Sequence, residues 1–302
     1  VRDFIVLTYY KNSFFKKKKL EFFKDAKIKL VNEKKKLGTL GSIINAKRYL
    51  KKSFFVVNGD TYFDFNIRDL EFNLNKFNKD IGVALTKIES KLPKISYKLK
   101  KNKFNKVFLS TKKTKYICGG TYYFNKKILK NFKIKNLDID NDLIIKKKYS
   151  NSIFTKYYSN NFLDIGTFQD LKKSSLFFKN NIYKPCAFFD KDGVFNEDSG
   201  YVHTVKTTKW KKNIFTAIKL LNDNNYRVII ITNQAGIAKG YFSLKKFLKY
   251  RDWFHYEFLL RGSFIDETYF CPFHPDSKFK RFKRKSNLRK PGNGMILEAF
   301  KD

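Results

Sequence analysis

Short apolar segments alternate with amphipathic ones along the chain. Residues 3–8 (DFIVLT), 28–31 (IKLV), 54–58 (FFVVN) and 81–88 (IGVALTKI) have the length and composition of buried strands. A Lys- and Phe-rich helical stretch follows the first segment, and a Gly-containing loop and a helix near 41–50 precede the third. Apolar strands separated by helices predict a mainly parallel sheet with helices on both faces.

The same alternation begins again in the second half of the chain. Residues 186–190 (CAFFD), 226–233 (YRVIIITN) and 264–270 (FIDETYF) predict three more strands. A helix whose apolar face begins at Ile214 follows the first of them, and another helix is predicted around 243–260.

A polar segment, 172–185 (KKSSLFFKNNIYKP), separates the two halves and closes with a proline, so we predict a linker there. A chain of 302 residues exceeds what one hydrophobic core usually organises. We therefore predict an α/β fold with two domains, residues 1–178 and residues 184–302. Each domain is expected to be a mainly parallel sheet flanked by helices.

The charge balance is strongly basic, with 65 Lys and Arg against 27 Asp and Glu and a net charge of +38. This balance would suit a nucleic-acid-binding protein. However, the lysines are spread over the chain and only 279–290 forms a dense basic block, which is typical of a solvated surface. We therefore predict no nucleic-acid partner, although the charge would attract phosphorylated substrates.

The three cysteines, Cys118, Cys186 and Cys271, are too few and too scattered for a disulfide framework, which indicates a reducing, cytoplasmic location. No apolar run approaches the roughly 18–20 residues that a membrane span needs, so no membrane partner is expected. Met295 is the only methionine, and the residues from it to Asp302 have a helical pattern, so we expect the chain to be an internal stretch of a longer protein.

Two aspartates follow the first strand of the second half. Asp190 ends this strand, Asp192 lies two residues on, and Gly193 permits a sharp turn. The carboxyl ends of parallel strands form the ligand crevice of an open sheet. There one carboxylate can attack phosphorus while the other transfers a proton. Taken alone, the string DKDG is equally compatible with an acidic surface turn or a calcium loop.

Further polar groups occur at later strand ends and loops. Thr232 and Asn233 end the strand 226–233, where a hydroxyl and backbone N–H groups could hold phosphoryl oxygens. Arg289 and Lys290 precede a Pro-Gly turn and could neutralise phosphate charge. Thr232 could instead be a turn cap, and the two cations part of the basic block. The order of these elements favours a phosphate site.

Five motifs carry a specific resemblance: DKDGVFN, GYVH, TNQAGIAKGYFS, CPFHP and RKPGNGM. In this order they closely resemble the haloacid-dehalogenase superfamily phosphatases that act on D-glycero-D-manno-heptose 1,7-bisphosphate, whose close relatives are the histidinol-phosphate phosphatases. The resemblance runs from about Lys184 to the end of the chain and implies that superfamily's Rossmann-like fold.

The resemblance also implies roles for individual residues. Asp190 would be the nucleophile that forms an aspartyl-phosphate, and Asp192 would protonate the leaving oxygen and then deprotonate the hydrolytic water, both at a Mg²⁺ site. Thr232 and Lys290 would hold the phosphoryl group. The substrate would lie near Asn233, and near Arg289 as well.

The family often has a zinc loop, written C-x-H and followed by a C-x-C pair. Here Cys271 and His274 are present, but Phe273 occupies the second position after Cys271, and Ser286 and Leu288 replace the cysteine pair. A tetrahedral zinc site needs four ligands, so we predict no zinc and a loop or hydrogen-bonding role for His274.

The first half contains a second candidate site. Gly38 and Thr39 stand in a Gly-rich loop before a helix, where backbone N–H groups could approach a nucleotide. Asn58, Gly59 and Asp60 end an apolar strand, and an aspartate there can hold magnesium against phosphates. Taken alone, each string is a weak signal, because turns account for such strings more often than not.

In combination with CGGTYYF and FLDIGTFQDL, these strings resemble the nucleotidyltransferases that join a sugar 1-phosphate to a nucleoside triphosphate, especially the mannose- and heptose-1-phosphate guanylyltransferase branch. The resemblance covers roughly Asp3 to Leu176 and implies that family's Rossmann-like fold. It makes Asp60 and Asp164 the metal-binding pair. It also implies that Gly38 and Thr39 line the nucleotide and that Gly120 lines the sugar pocket. The family has a lysine in an E-K pair, which corresponds to Lys112 here, with Thr111 in place of the glutamate.

Two motifs of these families have no counterpart in the sequence. The Gly-rich triphosphate loop would lie upstream of Val1, so we expect this domain, as the sequence gives it, not to transfer nucleotides. The acidic cluster that completes the phosphatase magnesium site would lie beyond Asp302.

The two resemblances predict a bifunctional enzyme of sugar-nucleotide synthesis. A phosphatase would remove the 7-phosphate of heptose 1,7-bisphosphate, and the neighbouring domain would activate the heptose 1-phosphate for surface-polysaccharide (lipopolysaccharide) synthesis. A histidinol-phosphate-type phosphatase, a non-catalytic sugar-nucleotide-binding protein and a nucleic-acid-binding protein are the alternatives. The nucleotide base and the sugar anomer are left open.

Overall fold

The computed structural model describes residues 3–17, 26–87, 97–99, 107–109, 116–181 and 183–301. The chain folds as two compact units, Val1–Ser174 and Ser175–Asp302. Among the described helices, none combines the length and the apolar composition required to span a bilayer.

Strands and helices alternate in the N-terminal unit. Its strands are β1 (Asp3–Thr8), β2 (Lys27–Asn32), β3 (Ser53–Val57), β4 (Thr61–Phe63), β5 (Ile81–Lys87), β6 (Tyr97–Leu99), β7 (Val107–Leu109), β8 (Tyr116–Asn125), β9 (Ile153–Tyr157) and β10 (Phe162–Asp164). Its helices are α1 (Asn12–Lys17), α2 (Gly38–Asn45) and α3 (Ile67–Lys76), and short 3₁₀ or π turns occupy Lys47–Tyr49, Lys126–Asn131, Asp140–Ile144 and Lys147–Ser152.

The main sheet of this unit is mixed rather than mainly parallel. Strand β8 runs antiparallel to β3, β5 and β6, whereas β5 pairs with β9 in parallel. Two smaller pairs complete the unit, β1 with β2 in parallel and β4 with β10 antiparallel. The predicted α/β class is confirmed, but strand direction was not readable from the pattern, because a strand buried on both faces has the same apolar sequence in either direction.

Helices cover both faces of this sheet. Along β5, Val83 and Leu85 belong to a core that includes the apolar side chains of α2. The residue between them, Ala84, belongs to a second core with Leu70 and Leu74 of α3. Successive side chains of a strand point to opposite faces, so β5 is buried on both sides.

Helix α4 (Phe168–Asn181) contains the boundary between the two units. The polar segment 172–185, predicted as a linker, is therefore helical as far as Asn181. Before Pro185 this segment has neither Gly nor Pro, so its lysines, serines and asparagines are compatible with an exposed helix. Ser174 is buried, and its hydroxyl donates to the Leu171 carbonyl at 2.6 Å.

The C-terminal unit is built on a parallel sheet in the order β11-β12-β13. Its core is aromatic and includes Phe195, Phe254 and Phe258, all at most 2% exposed. The elements are β11 (Cys186–Phe189), α5 (Ile214–Asp223), β12 (Arg227–Asn233), α6 (Ala235–Ala238), α7 (Leu244–Leu260), β13 (Glu267–Cys271), a 3₁₀ turn (Lys280–Phe282) and α8 (Gly294–Ala299).

Candidate functional site

The carboxyl ends of β11 and β12 carry the polar groups of the C-terminal unit. The two strands are parallel with Phe189 opposite Ile230, so their ends meet at one edge of the sheet. Asp190 follows β11 directly, and Thr232 and Asn233 are the last residues of β12.

Lys290 reaches this edge from a distant loop. Its ammonium forms an ion pair with Oδ2 of Asp190 and donates to the Ile231 carbonyl oxygen at 3.2 Å. The main chain of Lys290 is bound by the amide of Asn233, which donates to the Lys290 carbonyl at 3.2 Å and accepts from the Lys290 N–H at 3.0 Å. The structure thus brings together three of the predicted site residues.

The two aspartates of DKDG lie in one turn. Asp190 Oδ1 accepts from the backbone N–H of Lys191 at 2.7 Å, and Asp192 Oδ1 accepts from Nδ2 of Asn196 at 2.9 Å. Gly193 has φ of +84°, a left-handed conformation that glycine adopts without strain, and it closes the turn by donating to the Asn196 carbonyl at 2.7 Å.

Lys191, between the two aspartates, is a residue that the sequence reasoning missed. It is only 3% exposed, and its ammonium pairs with Asp192 Oδ1 and donates to the Val202 carbonyl at 3.2 Å. Burial lowers the pKa of Lys191, while the charges of Asp192, Asp198 and Asp190 oppose this effect. A lysine directly after an apolar strand and between two acids is the signal that could have identified it.

Thr232 and Arg289 complete the set of predicted residues in this unit. Thr232 is 1% exposed, and its hydroxyl accepts from Nε2 of Gln234 at 3.0 Å. Nη1 of Arg289 is buried and has no hydrogen-bond partner among the described residues. Buried donors are normally satisfied, so this nitrogen is suited to an acceptor on a ligand.

Cys271 and His274, considered above as zinc ligands, make local contacts. Burial raises the pKa of the Cys271 thiol, which donates to the Phe273 carbonyl at 3.8 Å. His274 Nδ1 accepts from the Asp276 N–H at 3.1 Å, in keeping with a loop histidine. Over the described ranges, no three His, Cys, Asp or Glu side chains are grouped as for a metal ion. The absence of zinc stays a prediction.

In the N-terminal unit, Asp60 and Asp164 lie close together. Strands β4 and β10 pair Thr61 with Asp164, and the Ile165 N–H donates to the Asp60 carbonyl at 2.8 Å. A Cβ placed on Gly166 would stand 3.1 Å from Asp164 Oδ1 and 3.8 Å from Asp60 Oδ2. The two carboxylates therefore flank the space above this glycine.

Gly120 lies against the same strand end. Its φ is +66°, and a Cβ there would stand 2.9 Å from Thr61 Oγ1 and 3.1 Å from Asn58 Nδ2. The Asn58 N–H donates to the Gly120 carbonyl at 2.9 Å. Gly120 is thus adjacent to the Asn-Gly-Asp turn that ends in Asp60.

The Gly-rich loop makes contacts within its own unit. Thr39 Oγ1 donates to Asp138 Oδ2 at 3.1 Å and accepts from the Ile139 N–H at 2.9 Å. At Gly38, φ is +69° and a Cβ would stand 2.5 Å from the Leu137 carbonyl oxygen. The predicted nucleotide contacts of both residues stay predictions.

Lys112 and Thr111, the two positions matched to the E-K pair, lie outside the described residues. Their predicted role therefore stays a prediction.

Comparisons with known proteins find different similar proteins for the two parts of the chain. Residues 185–302 match the protein family described as Polynucleotide kinase 3 phosphatase. The D-glycero-beta-D-manno-heptose-1,7-bisphosphate 7-phosphatase of Photorhabdus laumondii is 36% identical over 118 residues, which are 39% of this chain and 63% of that protein. The D-glycero-alpha-D-manno-heptose-1,7-bisphosphate 7-phosphatase of Burkholderia mallei is 42% identical over 117 residues, 39% of this chain and 62% of that protein.

This chain spans less than two thirds of the length of these curated relatives. A crystal structure of HddC from Yersinia pseudotuberculosis superposes with a TM-score of 0.50 at 23% identity and covers 59% of this chain and 79% of that chain. At 23% identity, the likeness to HddC shows similarity of fold alone. The C-terminal part of the chain is thus homologous to the heptose-1,7-bisphosphate 7-phosphatases, as its motifs predicted, and the N-terminal part has the α/β fold of HddC.

Proposed function

We propose that the C-terminal unit hydrolyses the 7-phosphate of a heptose 1,7-bisphosphate through an aspartyl-phosphate on Asp190. One observation carries this proposal: Asp190, at the end of β11, is paired with the ammonium of Lys290 beside the end of β12. A nucleophilic carboxylate next to a fixed cation is the arrangement that phosphoryl transfer requires. The homology to heptose-bisphosphate phosphatases supports the choice of substrate.

In the first step Asp190 attacks the phosphorus atom. A bond forms between a carboxylate oxygen and phosphorus, and the bond between phosphorus and the sugar oxygen breaks. Asp192 gives a proton to the departing sugar oxygen. The Lys290 ammonium and the Thr232 hydroxyl receive the phosphoryl oxygens, whose charge is spread during transfer.

In the second step water cleaves the aspartyl-phosphate. Asp192, now ionised, accepts the proton of the attacking water, and the bond between phosphorus and the Asp190 oxygen breaks. Inorganic phosphate leaves and both carboxyl groups return to their starting states. The same side chain therefore acts first as acid and then as base.

The site fits a magnesium ion. Asp190 and Asp192 supply carboxylate oxygens, the ligands that Mg²⁺ prefers, and their side chains are 48% and 20% exposed, so an ion from solvent can reach them. Magnesium would neutralise oxygen charge as the phosphoryl group transfers. Asp190 would hold the ion through its carboxylate, whereas the Asp192 carboxyl group, which carries the transferred proton, would lie beside the ion.

For the N-terminal unit within the full-length protein we propose nucleotidyl transfer to a sugar 1-phosphate. The proximity of Asp60 and Asp164 on either side of Gly166 supports a divalent-cation site that would face a nucleoside triphosphate. Gly120, adjacent to the Asn58 turn, would border the sugar. The heptose 1-phosphate released by the phosphatase is then a substrate for the neighbouring unit, and we place both reactions in the cytoplasm.

A substrate panel tests the phosphatase. Phosphate release from the α and β anomers of heptose 1,7-bisphosphate is compared with release from histidinol phosphate and from a 3′-phosphorylated oligonucleotide, with Mg²⁺ and with a chelator. We expect Mg²⁺-dependent release from one heptose anomer at a kcat/KM at least about 10-fold above the other substrates. Preference for histidinol phosphate or the oligonucleotide would overturn the substrate assignment.

The variant Asp190→Asn tests the nucleophile, since an amide cannot form the acyl-phosphate. We expect kcat to fall by about 10³-fold or more with the fold retained. Asp223→Asn, which alters an exposed carboxylate paired with Lys219 in the same unit, is the matched control and should keep full activity. Full activity of Asp190→Asn would exclude the proposed mechanism.

Nucleotidyl transfer is tested separately. The full-length protein is incubated with heptose bisphosphate and each nucleoside triphosphate in turn, and nucleotide-sugar formation is measured. Formation with one nucleotide is the expected result. Phosphate release without any nucleotide-sugar would refute the bifunctional proposal and leave the phosphatase standing.

A further inference from the structure

Lys191 is an unusual lysine because its charge is placed inside the protein. The residue is 3% exposed, and its ammonium lies between Asp192 Oδ1, the Val202 carbonyl at 3.2 Å, and the ring of Tyr250, whose centroid is 5.5 Å away. Burying an ammonium is unfavourable unless it is paired and hydrogen-bonded. A purely structural position could be filled more favourably by an apolar side chain of similar volume.

The contacts of Asp192 show what this lysine does. Both Lys191 Nζ and Asn196 Nδ2 donate to the same carboxylate oxygen, Oδ1 of Asp192. Asn196 is itself fixed, since it is fully buried, donates to the Glu197 carbonyl at 2.7 Å, and bridges to the backbone of Trp210. Two rigid donors on one oxygen restrict the rotation of the carboxylate.

We propose that Lys191 is a positioning residue that, together with Asn196, holds Asp192 by Oδ1 and so presents Oδ2 to the leaving group. This inference rests on the proposed phosphatase function. In the step concerned, the Asp190 carboxylate forms a bond to phosphorus, the bond from phosphorus to the leaving oxygen breaks, and the proton on Asp192 Oδ2 passes to that oxygen. In this role Lys191 acts through Asp192, the carboxylate that its ammonium contacts.

Leaving groups of different basicity separate this role from a structural one. A sugar alkoxide is strongly basic and needs the proton as the bond breaks, whereas p-nitrophenolate is a stable anion and leaves without one. Misplacing Asp192 should therefore slow the first step, phosphoryl transfer to Asp190, for the sugar phosphate and spare that step for p-nitrophenyl phosphate. The second step, in which Asp192 acts as base, is common to both substrates, so the first step is measured by itself. Loss of the fold or of phosphate binding would slow both reactions alike.

The experiment compares Lys191→Met and Lys191→Arg with the unmodified full-length protein on both substrates, with Mg²⁺. For Lys191→Met we expect the single-turnover rate of leaving-group release from heptose bisphosphate to fall about 10²- to 10⁴-fold, with the half-saturating substrate concentration nearly unchanged, and the single-turnover rate of p-nitrophenolate release to fall less than about 10-fold. Lys191→Arg, which keeps a cationic donor, should recover most of the sugar-phosphate activity. Equal losses on the two substrates, or no loss on either, would overturn the proposal.

Two further variants cover the case in which Lys191→Met does not fold. Asn196→Ala removes the second donor and should show the same selective loss on the sugar phosphate. The double variant Asn196→Ala/Asp192→Asn should be no slower than Asp192→Asn alone, because the donors to Asp192 have no role without the carboxylate. If the activity losses of the two substitutions add in the double variant, the positioning role is overturned. If the unmodified protein hydrolyses neither ester, the proposed function itself fails, a result distinct from equal losses in an active enzyme.

Discussion

The side chain of Asn233 is bonded to the main chain of Lys290 at both of its polar atoms. Nδ2 donates to the Lys290 carbonyl at 3.2 Å, and Oδ1 accepts from the Lys290 N–H at 3.0 Å, across 57 residues of sequence. This double contact fixes the loop from which the Lys290 ammonium reaches Asp190. The motif had indicated only that Asn233 is near the substrate, and the contacts give it a defined partner.

Asn233→Ala should therefore weaken the placement of Lys290. Two hydrogen bonds worth about 0.5–1.5 kcal/mol each are lost, so we expect kcat/KM for phosphate release to fall about 10-fold or more with little change in the circular dichroism spectrum. Asn224→Ala is the matched control, because that amide donates to the Leu220 carbonyl at the end of its own helix and so lies in a local contact. Unchanged kinetics of Asn233→Ala would show that Lys290 is held by other means.

Thr232 gives a second prediction because its hydroxyl is both buried and bonded. Thr232→Val should lower kcat/KM about 10²-fold by removing the proposed phosphoryl contact, whereas Thr232→Ser should stay within a few-fold of the unmodified protein. Thr232→Val also leaves Gln234 Nε2 without its acceptor, at a cost of about 1–3 kcal/mol in the free energy of unfolding.

A double variant separates these two effects of Thr232→Val. Thr232→Val/Gln234→Leu removes donor and acceptor together, so thermal stability should recover while activity stays low. Recovery of activity along with stability would show that the hydroxyl supports the fold only.

Strand ends were the part of the site that the sequence could predict. Asp190 and Thr232 follow from short apolar runs that stop at polar residues, and the structure gives β11 and β12 close to the expected bounds. The third strand was predicted at 264–270 and lies at Glu267–Cys271 instead. Asp266 explains the shift, because its carboxylate accepts from the Val228 N–H at 2.8 Å and so caps the strand rather than belonging to it.

Buried polar contacts were the part that the sequence could not predict. Lysine and asparagine are usually exposed, so the local pattern can mark Lys191 as a candidate but does not show that Lys191 and Asn196 converge on Asp192. Their burial arises from the aromatic core around Phe195, which forms only when distant helices pack. The direction of β8 in the sheet could not be predicted either, because it depends on the strands that pair with β8 and not on the apolar pattern of β8 itself.

Gly166 provides a test of the N-terminal site. A methyl group at Gly166 would lie 3.1 Å from Asp164 Oδ1 and 3.8 Å from Asp60 Oδ2, so Gly166→Ala should disturb the space between the two carboxylates. We expect the affinity for Mn²⁺, measured by calorimetry, to fall about 10-fold. Gly59→Ala is the matched control, since a Cβ at Gly59 meets nothing within 4 Å. Equal affinities of both variants would argue against a metal ion between Asp60 and Asp164.

Because of Tyr250, the stability of the C-terminal unit should fall with rising pH in the alkaline range. Burial raises the pKa of Tyr250 to about 12 from 10.0, the nearby Asp192 charge adds to this, and the hydrogen bond with Thr208 opposes it. The folded state therefore holds the phenol proton more tightly than the unfolded state. The stability that the protonated Tyr250 phenol contributes is fully present below pH 10 and is lost as pH rises toward 12.

Tyr250→Phe should remove this dependence. The variant loses the hydrogen bond to Thr208, 2.7 Å long, so it should be about 1 kcal/mol less stable near neutral pH. Between pH 10 and 12 its free energy of unfolding should decline less steeply than that of the unmodified protein. Tryptophan fluorescence during urea unfolding reports this unit selectively, because both tryptophans, Trp210 and Trp253, lie in it. Tyr226→Phe, at a partly exposed tyrosine, should leave the pH profile unchanged, and parallel profiles for all three proteins would contradict the role assigned to Tyr250.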